Sequence, residues 1–134
     1  MVKVRLYLVR HGKTMFNTIG RAQGWSDTPL TAEGERGIQE LGIGLRESGL
    51  QFERAYSSDS GRTIQTMGII LEELGLQGKI PYRMDKRIRE WCFGSFDGAY
   101  DGDLFMGIIP RIFNVDHVHQ LSYAELAEGL VEVD

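Results

Sequence analysis

The stretch LVRHGKTMFN, Leu8 to Asn17, begins as an apolar strand and ends on charge. Val4, Leu6, Leu8 and Val9 are apolar and β-compatible, so Lys3–Val9 reads as a short strand. Its near-continuous hydrophobicity suits a central strand covered on both faces. Arg10, His11 and Gly12 follow with no polar spacer. A cation and an imidazole are thereby delivered to the carboxyl edge of a sheet, where open α/β folds hold their ligands.

Working outward, residues 11–29 are rich in Gly, Asn, Thr and Ser and read as a long loop, a length that is usually functional or disordered. Thr31 reads as a helix N-cap, with Gly34 at the capping-box position where Glu is stronger. Ile38, Leu41 and Leu45 follow at helical spacing, with Gly37, Gly42 and Gly44 interleaved for close approach to a sheet, and Gly49 to cap the end. A second strand over residues 52–57 runs into the turn Ser57-Ser58-Asp59-Ser60. A helix over 61–74, stopped by Gly75, and a strand over 80–83 complete the regular part. Residues 121–130 form a last helix with Ser122 as its cap. The order strand, helix, strand, helix, strand predicts an α/β three-layer sandwich with a mostly parallel central sheet and helices on both faces. No repeat or composition shift divides the chain, so a single domain over 1–134 is expected.

The bulk properties set outer bounds. The chain has 134 residues, 42% hydrophobic and 25% charged, with a net charge of −4. That balance suits a globular protein and gives no bulk field for nucleic acid or an anionic membrane. It leaves room for a small anionic substrate held by a local arginine cluster. One cysteine, Cys92, permits no internal disulfide and fits a reducing cytosol. Neither a signal peptide nor a run of transmembrane length is present, so a cytoplasmic location is expected.

His11 has four readings from residue type alone: nucleophile, general base, metal ligand or structural histidine. Arg10 beside it favours the neutral imidazole, which is the nucleophilic form. A guanidinium fork also matches phosphate oxygens. Gly12 removes side-chain bulk where the backbone has to approach a ligand. Arg62, in the first turn of a helix that follows a strand, is either an anion-binding group or an ordinary exposed arginine. Glu90, set among Arg87, Arg89 and Trp91, is either a general acid or a carboxylate paired with a neighbouring arginine. As an acid it needs burial against Trp91 or Phe93, or nearby phosphate charge, to favour its protonated form. His117-Val118-His119 with Asp116 puts two rings on one face of a strand, but with no third convincing ligand it makes a weak metal signal.

Four ordered blocks, LVRHGKTMFN, RAQGWSDTPLTAEG, SSDSGRTIQT and RIREWCFGSFDG, resemble the histidine phosphatase superfamily, the phosphoglycerate mutase-like proteins. The resemblance implies that His11 is the phosphorylated histidine and Glu90 the proton donor to the leaving oxygen. It implies that Arg10 and Arg62 grip phosphate and that Asn17 closes the pocket. Gln23 and Gly24 fall in its substrate-side loop. The partner implied is a small phosphorylated metabolite, and no metal or other cofactor is required. The reaction implied is phosphoryl transfer through a phosphohistidine, with hydrolysis of a phosphomonoester favoured over the mutase reaction because GRAQGWSDTPLT looks like the phosphatase-type members. The second class is a non-catalytic phosphate-binding or regulatory module on the same fold.

The family's second pocket histidine lies in a Ser-His-Gly-like block at the end of a later strand. No such block occurs before Asp134. His117 and His119 lack its strand-then-glycine context, so that role is assigned to neither. The chain is therefore expected to be the larger part of a domain that lacks its C-terminal portion.

Overall fold

The computed structural model describes residues 1–132 and has a mixed α/β architecture with a small parallel sheet. Its order is α1 (Met15–Ile19), α2 (Ala32–Glu47), β1 (Ala55–Ser57), α3 (Gly61–Glu73), β2 (Tyr82–Met84), α4 (Asp101–Asp103), α5 (Ile109–Phe113) and α6 (Tyr123–Glu132). A π-helical segment, Leu104–Ile108, joins α4 to α5 just before Pro110, whose missing N–H interrupts regular helical bonding. Strands β1 and β2 pair in parallel, with Ala55 opposite Tyr82 and Ser57 opposite Met84.

Two helices cover each other through a stripe of every fourth residue. Gly34, Ile38 and Gly42 are buried on α2, and Arg62, Thr66 and Ile70 on α3. Gly42 permits the approach: a Cβ there would lie 2.7 Å from Cβ of Glu73. The interleaved glycine thus serves helix–helix packing rather than the expected helix–sheet contact. Thr31 caps α2 as expected, its Oγ1 accepting from Gly34 N at 3.0 Å. Ser48 occupies the C-cap position, and Gly49, at φ +71°, follows it.

A second core gathers Ala22, Phe93, Leu104, Ile109 and Leu126. Leu104 and Ile109 are fully buried, which anchors the α4–α5 region beside α6. Ser122 caps α6: its Oγ accepts from Glu125 N at 3.2 Å while the Glu125 carboxylate accepts from Ser122 N at 2.7 Å. Among the described residues no helix is long and apolar enough to cross a membrane.

Two elements differ from the sequence reading. Residues 3–9 form no strand and lie exposed, with Val4 and Leu6 each 78% and Leu8 94% accessible. A central strand needs ladder partners on both edges, and among the described residues the sheet has only β1 and β2. Tyr7 meets Phe52 edge-on, 5.4 Å between centroids. The loop over 11–29 contains α1, because Thr14 and Asn17 close a capping box.

Candidate active site

His11 is half-buried where the N-terminal segment meets α2 and α3. Gly12 packs against α2 rather than opening space for a ligand: a Cβ there would lie 2.9 Å from both the Gly34 carbonyl oxygen and Cγ1 of Ile38. Its N–H donates to Thr66 Oγ1 at 3.1 Å, one turn beyond Arg62 on α3. The backbone around His11 is therefore fixed by two helices.

The imidazole has a defined tautomer. Nδ1 lies 2.8 Å from the Gly12 carbonyl oxygen. A carbonyl only accepts, so Nδ1 carries the proton and Nε2 keeps its lone pair. Burial pushes His11 below the ordinary histidine value of 6.5, and the Arg62 and Arg10 charges push the same way. The Gly12 hydrogen bond and the Glu90 charge oppose the shift without reversing it. The neutral form expected from Arg10 alone is thus favoured chiefly by desolvation.

Arg62 is 2% exposed, which removes the reading of an ordinary surface arginine. Nη1 donates to the Ser26 carbonyl at 2.8 Å and to Asp27 Oδ1 at 3.2 Å, and Nη2 donates to the Gly24 carbonyl at 2.8 Å. Its Nε is buried without a hydrogen-bond partner. Asp97 holds the other side of the same loop, accepting from Gly24 N at 2.9 Å and from Ser26 Oγ at 3.0 Å. Gly24 fits because its Cα faces the Trp91 carbonyl oxygen and the Phe93 ring, where a Cβ would collide.

Thr14, fully buried, links the polar residues of this loop. Its Oγ1 donates to Asn17 Oδ1 at 3.0 Å and accepts from Asn17 N at 3.2 Å. The Gln23 amide is oriented by its neighbours: its NH2 donates to Thr14 Oγ1 at 2.6 Å, and its oxygen accepts from Thr28 N at 2.8 Å and from Arg62 Nη1 at 3.3 Å. Thr14, Thr66, Asp27 and Asp97 were not singled out in the sequence. The signals were present only as spacing: Thr14 sits three residues before Asn17, and Thr66 four after Arg62.

Glu90 is exposed, not buried against Trp91 or Phe93. The arginines beside it are engaged elsewhere: Arg87 with Asp85, and Arg89 with Asp59, each at 2.5 Å. The paired-carboxylate reading is thereby set aside. Oε1 accepts from Trp91 N at 2.9 Å, and Trp25 Nε1 donates to the Glu90 carbonyl at 3.0 Å. Arg89 lies over the Trp25 ring, 4.6 Å from its centroid.

An open cleft of about 780 Å³ brings Arg10, His11, Asn17, Gln23 and Glu90 together. Arg62 and Gly24 line an adjoining space of about 270 Å³, which Glu90 also borders. His119 lines the larger cleft, and its ring stacks on His117 at 5.2 Å. The pair lies at a short helical turn, Val118–Gln120, not along a strand. Among the described residues no three His, Cys, Asp or Glu side chains are grouped to hold a metal ion.

Residues 6–104 match the histidine phosphatase superfamily (branch 1). A probable phosphoglycerate mutase of Salmonella choleraesuis is 47% identical over 58 residues, 43% of this chain and 26% of that protein. The crystal structure of phosphoglycerate mutase from Bacillus anthracis superposes with TM-score 0.79 and 35% identity, covering 92% of this chain and 54% of that one. Phosphoserine phosphatase from Entamoeba histolytica, solved with 3-phosphoglyceric acid, gives TM-score 0.61 and 26% identity over 77% of this chain and 48% of that one. The chain spans about half the length of these solved structures. With 99 consecutive residues matched and its α/β fold shared with these structures, the chain belongs to the histidine phosphatase superfamily, branch 1.

Proposed function

We propose that the chain carries the phosphoryl-accepting half of a metal-independent phosphohistidine mechanism, directed to hydrolysis of a small phosphomonoester. Nε2 of His11 attacks phosphorus, the P–N bond forms, and the P–O bond to the leaving group breaks. Glu90 donates its proton to the departing oxygen. Its carboxylate then takes a proton from the water that cleaves the P–N bond, releasing phosphate and restoring both groups. Arg10 and the unpartnered Nε of Arg62 offset charge on the transferring phosphoryl oxygens, and Asn17, Gln23 and Gly24 shape the pocket around them.

The observation that carries this reading is the His11 tautomer. With Nδ1–H bound to the Gly12 carbonyl, the free lone pair is on Nε2 of a ring that lines the same cleft as Arg10 and Glu90. A second reading is the mutase reaction, favoured by the names that the Salmonella and Bacillus relatives carry. The two differ in the fate of the phosphoryl group: water takes it in one, a bound phosphoglycerate in the other.

The test is to incubate the chain with radiolabelled phenyl phosphate, quench in alkali, and follow label on protein and in solution. Acid-labile label on the parent, absent from His11→Ala and released as inorganic phosphate, supports hydrolysis. Label that leaves only when phosphoglycerate is added supports the mutase. Label unchanged in His11→Ala removes His11 from the mechanism.

A further inference from the structure

Glu90 sits on the irregular segment that follows the short turn Lys86–Ile88, exposed and outside any regular helix or strand. An acid so placed has to be fixed by its neighbours, because a displacement of about 1 Å costs about 10²-fold in rate. Hydrogen bonds hold the residue at its side chain and at its backbone. Oε1 accepts from Trp91 N at 2.9 Å. A backbone N–H only donates, so the transferable proton belongs on Oε2. The Glu90 carbonyl accepts from Trp25 Nε1 at 3.0 Å, across 65 positions of sequence.

The Trp25 indole is held in turn. The Arg89 guanidinium lies over its ring, 4.6 Å from the centroid. Asp59 grips that guanidinium with both oxygens, Nε donating to Oδ1 at 2.6 Å and Nη2 to Oδ2 at 2.5 Å. The residues flanking Trp25 are tied to α3: the Gly24 and Ser26 carbonyls each accept from Arg62 at 2.8 Å. Trp25, Asp59, Arg62, Arg89 and Glu90 border the same space of about 270 Å³.

From this chain of contacts we infer that Trp25 is a positioning residue for Glu90, braced by the Arg89–Asp59 pair. The inference rests on the reading of Glu90 as the acid. Trp25 acts through Glu90 alone: it ties the acid to the loop that Arg62 closes. Oε2 thereby keeps a fixed place relative to the phosphate-side guanidinium while Nε2 of His11 takes the phosphoryl group. The proton passes from Oε2 to the leaving oxygen as the P–O bond breaks. A partly exposed ion pair such as Arg89–Asp59 adds little to stability, so its contribution here is the orientation of the indole.

The experiment compares kcat/KM for ethyl phosphate and 4-nitrophenyl phosphate, a quantity that reports transfer to His11 whatever the rate of later P–N cleavage. Trp25→Phe keeps a ring beneath Arg89 and removes the N–H, at a position 54% exposed. The expected result is ethyl phosphate slowed about tenfold, the size of one lost hydrogen bond, and 4-nitrophenyl phosphate slowed by less than about twofold. In a Glu90→Gln background the same change costs nothing further, because the group it positions no longer donates. Asp59→Asn, at an exposed residue, releases Arg89 and gives a selective loss of the same sense. A merely structural role for Trp25 would slow both substrates alike and add to the Glu90→Gln loss. Equal slowing of both substrates by either variant, or no slowing, overturns the inference, and a Glu90→Gln loss confined to ethyl phosphate then leaves the acid assignment standing. Equal slowing of both substrates by Glu90→Gln, or a parent that turns over neither, overturns the acid assignment itself and this inference with it.

Discussion

Nη2 of Arg62 donates to the Gly24 carbonyl oxygen across 2.8 Å, and the same guanidinium reaches Ser26 and Asp27. One buried side chain of α3 thus closes the loop that borders the site. Lysine keeps the charge and loses the planar fork, so Arg62→Lys leaves buried carbonyls without donors. The expected loss of stability is about 2–4 kcal/mol, read from urea denaturation of parent and variant. Equal midpoints would show that the loop is held by Asp97 alone.

Glu90 stands free of Arg87 and Arg89, which pair with Asp85 and Asp59. Its carboxylate accepts from Trp91 N but pairs with neither arginine, which leaves it available as the acid for the leaving oxygen. Glu90→Gln is expected to slow an alkyl phosphomonoester by about 10²–10⁴, and an activated aryl phosphate far less, because a good leaving group departs without a proton. Comparison of the two rates decides. Equal slowing assigns Glu90 to binding or folding.

His11 lies below the ordinary 6.5, first through burial and then through the Arg62 and Arg10 charges. The unfolded chain, with its histidine near 6.5, therefore takes up the proton before the folded chain does as pH falls. Stability linked to His11 is fully present above the unfolded value and is lost between that value and the lower folded one. Parent minus His11→Asn stability, measured by denaturation from about pH 7.5 down to about pH 5, should fall as pH falls. A difference that is flat or rises toward acid would contradict the burial of a neutral ring.

Gly24 faces the Trp91 carbonyl and the Phe93 ring with no room for a Cβ. Gly24→Ala is expected to destabilise the protein by about 1–3 kcal/mol, the usual cost of forced overpacking. Thermal unfolding checks this. No change in Tm would mean that the 23–27 loop and the 91–93 segment separate at little cost.

Local signals made much of the fold legible. Thr31 and Ser122 announced their helices because capping depends on a few adjacent residues. The parallel pairing of β1 with β2 followed from strands separated by a helix. Residues 3–9 misled because a short, near-continuous apolar run reports β-compatibility and says nothing of a partner strand. Within the site, the motif residues Arg10, His11, Asn17, Gln23 and Glu90 do line one cleft. The residues that hold them were hidden, since Thr14, Thr66 and Asp97 act through contacts made only after the loops close over α3. Arg62 shows the same limit. Its position on α3 was readable, whereas its burial depends on carbonyls 36 and 38 positions away.

The most direct test of the mechanism is the nitrogen that carries the phosphoryl group. The chain, labelled with nitrogen-15, is phosphorylated by phenyl phosphate and studied by phosphorus–nitrogen correlated NMR. Since Nδ1 is held by the Gly12 carbonyl at 2.8 Å, the expected product is His11 phosphorylated on Nε2. A phosphoryl group on Nδ1, or on any other residue, would contradict the role assigned to this histidine.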